Sequence, residues 1–156
     1  MERFTDDNFI QHAVMHYSGM ITRIAFQHVK NKADAEDVMQ EVFFRLLEEP
    51  PFEAEAHLKH WLIRVAIHRS KDRLRAKKRQ NVAPLTDGYA MREEQTEVFR
   101  ELQSLPEKDR NILYLFYYEG YSAKEIGDIL GTRESAVFMR LTRAREKLRY
   151  FLEERV

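Results

Sequence analysis

Ser122–Arg149 reads SAKEIGDILGTRESAVFMRLTRAREKLR, and this stretch decides the fold. Ser122 and Glu125 stand at capping-box spacing, which marks a helix start. Ile126 and Leu130, four residues apart, are expected to point inward from that helix. Gly131-Thr132-Arg133 supplies a tight turn, because glycine enters the left-handed conformation without a Cβ penalty. A second helix then carries Val137, Leu141, Ala144 and Leu148 at spacings of four, three and four as its core face. Two helices joined in this way form a helix-turn-helix, which lays its second helix in a DNA major groove.

With the core face set, the opposite face follows at 100° per residue. It holds Ser135, Met139, Thr142, Arg143 and Glu146, with Phe138 and Arg140 on the flanks and Arg133 and Glu134 at the helix start. Arg133, Arg140 and Arg143 can pair with phosphates or guanine, and Glu134 with a cytosine amino group. Phe138 and Met139 can touch thymine methyls.

A second basic segment lies far upstream. Between Lys59 and Arg79 the only acid is Asp72. Here Leu58, Trp61, Leu62 and Val65 share one helix face and are expected to pack inward. His60, Arg64, His68, Lys71 and Arg75, spaced four, four, three and four, form a stripe suited to a phosphate backbone. Trp61 borders that stripe. It reads either as core or as a platform for an unstacked base. Ile63 and Ile67 face away from Trp61, so the helix is expected to be packed on two sides. The segment from Asp34 to Glu55 has the reverse balance, with Arg45 alone against eight acids. Net charge over the 156 residues is zero, which argues against a sequence-blind DNA coater. The asymmetry points instead to one surface for phosphates and one for a basic protein patch.

The remaining chain is helical in period, with no strand-like alternation. Thr5 or Asp6 can cap a first helix running to about Lys30. A second starts near Ala33, carries Val38, Val42 and Leu46 as a four-spaced stripe, and stops at Pro50-Pro51. Its acids Asp34, Glu36 and Asp37 fall in the first turn, where the helix dipole favours them. A third runs from about Leu58 to Lys78. Asn81, Pro84, Thr86, Asp87 and Gly88 then break the pattern. A helix around Glu94–Gln103 follows. Pro106 opens the next one, with Ser104 and Glu107 at capping-box spacing; it packs Ile112, Leu113, Phe116 and Tyr117 and ends at Gly120. The expected fold is all-α: two small helical domains, residues 1–79 and 96–156, joined by a flexible linker over 80–95. That linker can span roughly 50 Å. The absence of cysteine excludes disulfides and cysteine-based zinc sites. With no apolar signal core after Met1-Glu2-Arg3-Phe4, and no run long enough to span a bilayer, a cytoplasmic protein without membrane insertion is expected.

In three blocks the chain resembles the extracytoplasmic-function sigma factors, the smallest bacterial sigma factors of the sigma-70 type. Asp34-Ala35-Glu36-Asp37-Val38-Met39-Gln40-Glu41-Val42-Phe43 is similar to the family's polymerase-binding helix. Trp61-Leu62-Ile63-Arg64-Val65-Ala66 with Lys71-Asp72-Arg73-Leu74-Arg75 is similar to its −10 helix. Leu105-Pro106-Glu107 and Ser122–Arg149 are similar to its −35 domain. The resemblance implies that Asp37, Gln40, Glu41 and Arg45 dock on the clamp helices of the largest polymerase subunit. It implies that the loop Pro50–His57 and the helix bearing His60, Trp61, Arg64, His68, Lys71 and Arg75 capture a flipped base of the opened −10 strand. It further implies that the C-terminal domain binds the β-subunit flap and reads the −35 element, and that an anti-sigma protein covers these surfaces. The family is not enzymatic, and no cofactor, metal or small-molecule substrate is expected. Two positions depart from the family. His68 stands where asparagine is common, and imidazole cannot both donate to and accept from one base edge as an amide does. Glu134-Ser135-Ala136-Val137-Phe138-Met139 stands where a Gly-Thr-Val-Lys-Ser-like stretch is frequent. That change is expected to weaken phosphate attraction and shift the −35 preference.

Rival readings are a stand-alone helix-turn-helix regulator and a sigma-like accessory protein that binds polymerase without choosing promoters. A helical metal enzyme is a third. His12 and His16 are one turn apart and His57 and His60 three residues apart, near Glu53 and Glu55. No carboxylate–histidine motif recurs across helices as a di-metal bundle requires.

Overall fold

The computed structural model describes residues 7–49, 52–80 and 104–153. The caps expected at Thr5 or Asp6, the Pro50-Pro51 stop, and the stretch expected to hold the linker and the Glu94–Gln103 helix lie outside them. Every regular element among the described residues is a helix. The chain divides into two compact units, Met1–Asp87 and Gly88–Val156.

The first unit is a three-helix bundle of α1 (Asp7–Val29), α2 (Lys32–Leu46) and α3 (Glu55–Arg79), each packed on the other two. From α1, Ala13, Ile21, Ile24 and Ala25 lose nearly all solvent contact. The four-spaced stripe of α2, Val38, Val42 and Leu46, is buried as expected. Leu58 and Leu62 of α3 are buried on one side and Ile63 and Ile67 on another, so this helix is packed on two sides. Trp61 and Val65 are only half-buried, a correction to their expected inward packing. The α3 axis places the Leu58–Leu62–Ala66 row deepest and leaves them on the shoulder.

The α1–α2 connection is two residues long. Lys30 takes a left-handed φ of 62° to end α1, and its amide still bonds Phe26 O at 2.9 Å. Asn31 then caps α2: its Oδ1 accepts from the Asp34 amide at 2.8 Å. Its Nδ2 donates to Val29 O at 3.2 Å and to Asp34 Oδ2 at 2.7 Å. One buried amide therefore joins the end of one helix to the start of the next.

The second unit holds α4 (Glu107–Leu113), which continues as a π-helical turn over Tyr114–Tyr118, then α5 (Ala123–Leu130) and α6 (Glu134–Glu153). The cap of α4 differs from expectation. Pro106 itself occupies the capping position, without a side-chain cap bond, and its carbonyl accepts from Asp109 and Arg110. The proline ring presets the φ of −54° found there and offers no acceptor. The π turn shifts the register of the inner face. Ile112, Leu113, Tyr114 and Leu115 are buried, whereas Tyr117, expected inside, is exposed and Phe116 half-buried. Gly120 follows at φ 77°, the left-handed residue expected there.

The helix-turn-helix forms as its sequence indicates. Ser122 Oγ accepts from the Glu125 amide and Glu125 Oε1 from the Ser122 amide, both at 3.1 Å. Gly131 turns the chain at φ 68°. Gly127 is needed for a different reason: a Cβ there would lie 2.6 Å from Thr132 O. The missing side chain lets the turn fold back on α5, and Thr132 N bonds Gly127 O at 2.9 Å. Inside α5 the apolar face runs through Ala123, Ile126 and Ile129. Leu130, expected inside, is half-buried. Val137, Leu141 and Ala144 of α6 are buried and Leu148 half-buried.

Candidate polymerase- and DNA-facing surfaces

Asp37, Gln40, Glu41 and Phe44 follow i, i+3, i+4, i+7 spacing and so share one face of α2. Asp37, Gln40 and the neighbouring Arg45 are exposed, and Glu41 is half-buried. Phe44 and Leu47 lie among them, 68% and 61% exposed. Neither was singled out from sequence, although two large apolar residues on the acidic side of the stripe were visible in it.

The acids are not free. Arg73, reaching over from α3, donates Nη2 to Asp34 Oδ1 at 2.9 Å and to Asp37 Oδ2 at 2.8 Å. Its Nη1 lies 3.4 Å from Glu41 Oε1. Lys77 completes the cluster with a charged bond to Asp34 Oδ2. Asp34 is 6% exposed. Burial alone would push its carboxyl up, but the bonds from Lys77, Asn31 and Arg73 outweigh that and hold it below the usual range. Asp34 lies in the first turn of α2, as expected, and its carboxylate is held there by these three partners as well. A signal existed: the Val38–Val42 stripe, extended back by four, lands on Asp34. An acid in register with a buried stripe needs a cation.

On α3, Arg64, His68 and Arg75 are exposed, and His60 and Lys71 are half-buried. Arg75 Nη1 lies 3.6 Å from Asp72, a surface pair of little consequence. Trp61 meets Phe52 edge-on, ring centroids 5.8 Å apart. Phe52, just ahead of α3, thus sits beside the basic stripe. In the sequence it falls within the loop Pro50–His57. The entry of α3 is tied to α1 through Glu55, whose Oε1 accepts from His12 Nε2 at 2.7 Å and from Tyr17 OH at 2.8 Å. Those two bonds hold the Glu55 carboxyl below its ordinary value. The His16 ring lies tilted against that of His12, centroids 4.2 Å apart. Among the described residues no group of three or more His, Cys, Asp or Glu is disposed to hold a metal ion.

On α6, the expected outer face is solvent-open: Ser135, Met139, Thr142, Arg143 and Glu146 are exposed, as are Arg133, Glu134 and Phe138. Phe138 and Met139 are each 54% exposed. Arg140 is half-buried, and its Nη1 binds the buried Asp109 Oδ1 of α4 at 3.0 Å. Thr142 Oγ1 donates back to Phe138 O at 2.9 Å. Arg145, not anticipated, bonds Tyr117 OH and lies over the Phe116 ring at 5.3 Å, tying α6 to the π turn. No helix among the described residues is long and apolar enough to cross a membrane.

Residues 13–80 match the family model described as Sigma-70 region 2, and residues 95–148 the one described as Sigma-70, region 4. In sequence the chain is similar to the ECF RNA polymerase sigma factor SigM of Mycobacterium tuberculosis: 32% identical over 133 residues, covering 81% of this chain and 68% of SigM. It is similar also to the RNA polymerase sigma factor SigV of Bacillus subtilis, 28% identical over 134 residues and 81% of each chain. In fold it is similar to the sigma factor RpoE in complex with the anti-sigma factor NepR from Bartonella quintana, with a TM-score of 0.75 and 21% identity over 95% of this chain and 98% of that one. CnrH in complex with the cytosolic domain of CnrY gives 0.71 and 22%, over 96% and 90%.

Proposed function

The chain belongs to the sigma-70 family, in its extracytoplasmic-function group, and is an alternative sigma factor that directs promoter-specific transcription; we propose that it does so through three separate surfaces. The first is the outer face of α2. Asp37, Gln40, Glu41 and Arg45 dock on the clamp helices of the largest polymerase subunit. Phe44 and Leu47 give that face the apolar centre with a polar rim that protein interfaces carry.

The second surface is the basic stripe of α3. His60, Arg64, His68, Lys71 and Arg75 follow the backbone of the opened −10 strand. Trp61, backed by Phe52, stands where an unpaired base would stack. The third is the exposed face of α6, with Arg133, Glu134, Ser135, Phe138, Met139, Arg140, Thr142 and Arg143 at the −35 element and the rest of the unit on the β flap. The bond to Asp109 restricts Arg140 to its remaining N–H groups. The domains so used are residues 1–79 and 96–156, with 80–95 between them. The family-model spans and the division between Asp87 and Gly88 support these bounds.

The observation that carries this reading is the solvent-open α6 face on a fully formed helix-turn-helix, in the same chain as a separate basic–aromatic helix. No catalytic chemistry is assigned, and the site of action is the cytoplasm. An anti-sigma protein would act by covering these faces; the structural neighbour RpoE, solved with the anti-sigma factor NepR, supports that role.

The test pairs two charge and shape changes. Gln40→Lys with Arg45→Glu should weaken core-polymerase binding at least tenfold and leave the unfolding midpoint unchanged. Arg143→Ala should leave core binding intact and reduce the discrimination between matched and scrambled −35 elements. Loss of core binding from Arg143→Ala, with none from the α2 variant, would overturn the assignment.

A further inference from the structure

We propose that Phe138 and Met139 make this chain's −35 preference one for thymine methyl groups, read by apolar contact rather than by hydrogen bonds. The inference rests on the assignment of α6 as the −35 helix. Phe138 and Met139 are adjacent, in the first two turns of α6, and each is 54% exposed. Met139 lies on the open face with exposed Ser135, Thr142 and Arg143, and Phe138 borders it. Two of the polar groups beside them are already engaged within the fold. Thr142 Oγ1 donates to Phe138 O at 2.9 Å. Arg140 Nη1 binds the buried Asp109 at 3.0 Å. Arg143 Nη2 lies 3.6 Å from Met139 Sδ. No asparagine or glutamine occurs in Glu134–Glu153, so no carboxamide is present on α6 for adenine.

What the major groove offers such a surface is narrow. Its base edges are donors and acceptors, with one apolar group among them, the C5-methyl of thymine. An aromatic ring and a thioether, one on the open face and one at its border, each fit methyl groups through dispersion and the exclusion of water. A polar base edge pressed against them would lose its water without gaining a partner. Discrimination therefore arises from both the gain at thymine and the penalty elsewhere. Arg133, exposed at the start of α6, remains to hold a phosphate beside the apolar pair.

The decisive probe is deoxyuridine, which lacks the thymine methyl and is otherwise the same at the base-pairing edge. Holoenzyme is assembled from core polymerase and the full chain. It is bound to duplex promoters carrying the −35 element recovered by transcription from a randomised library, with each −35 thymine replaced singly by deoxyuridine. We expect binding to weaken about fourfold at one or two positions, the worth of one buried methyl-sized group. Phe138→Ala or Met139→Ala should abolish that penalty, and Phe138→Leu, which keeps the apolar bulk, should retain most of it. Both side chains face solvent, so each variant should unfold with the parent. A penalty unchanged in the alanine variants, no penalty at any position, or a recovered element without thymine on either strand overturns the methyl reading. In those cases a scrambled −35 element that still weakens binding leaves the role of α6 standing, and points to a protein partner as the occupant of the apolar pair. Indifference to scrambling overturns the role of α6 and the methyl reading together.

Discussion

Asp34 shows how a single residue ties two functional helices together. Its carboxylate is buried at the start of α2 and accepts from Arg73 and Lys77 of α3 and from Asn31 of the turn. Arg73 in turn pairs with Asp37 and Glu41, two residues proposed to meet polymerase. Replacing Asp34 with asparagine would leave Lys77 facing a neutral amide in a largely buried setting and Arg73 with Asp37 and Glu41 as its remaining acids. We expect a loss of about 2–3 kcal/mol in the stability of the first unit, measured by denaturant unfolding of the full chain. The pH dependence has a definite sign. Asp34 and Glu55 both have folded values below their unfolded ones, so their stabilisation is present above about pH 4 and is lost as pH falls through the folded values. Asp34→Asn should flatten the acid limb of the stability curve. An unaltered limb would remove Asp34 from the account. The Arg73 cluster was not legible in sequence, because its partners are more than thirty residues apart and charge counts carry no three-dimensional register.

Among the elements, the turn of the helix-turn-helix depends most on one position. Gly127 lies where a Cβ would approach Thr132 O to 2.6 Å, and that atom is backbone, held in the turn. Gly127→Ala should therefore destabilise the second unit by about 3 kcal/mol or more, although alanine is the better helix former. Circular dichroism on thermal unfolding will read it; an unchanged or raised midpoint would contradict the packing described. The helix-turn-helix itself was legible because local signals agreed: the Ser122–Glu125 box, the Gly131 turn and the spacing of Val137, Leu141 and Ala144. The inner face of α4 was not. Periodicity assumes 3.6 residues per turn, and the π turn over Tyr114–Tyr118 breaks that assumption. It brings Leu115 inside and turns Tyr117 out toward Arg145. Exposure of the α6 face was read correctly, since it follows from the core face by rotation alone. Phe44 and Leu47 fall outside the Val38–Val42–Leu46 stripe, so the spacing that marks the core carries no reading of them.

At the scale of the whole molecule, the proposed contacts fall on two compact units. On the proposed reading, the α3 stripe offers charge to phosphates, and the α6 face offers shape and apolar surface to bases. Lys71→Ala should weaken promoter binding similarly on matched and scrambled −35 elements, and lower the slope of log affinity against log salt by about 1. Phe138→Ala should change which −35 elements are preferred with little change in that slope. Equal effects of both variants on both kinds of promoter would refute the division of labour. The most direct test of the central claim is run-off transcription by core polymerase with this chain on a pooled library of randomised promoters. The account predicts transcripts that start at a fixed distance from a shared two-part element. Stable binding to core polymerase with no transcript from any promoter, or transcripts that share no element, would contradict it.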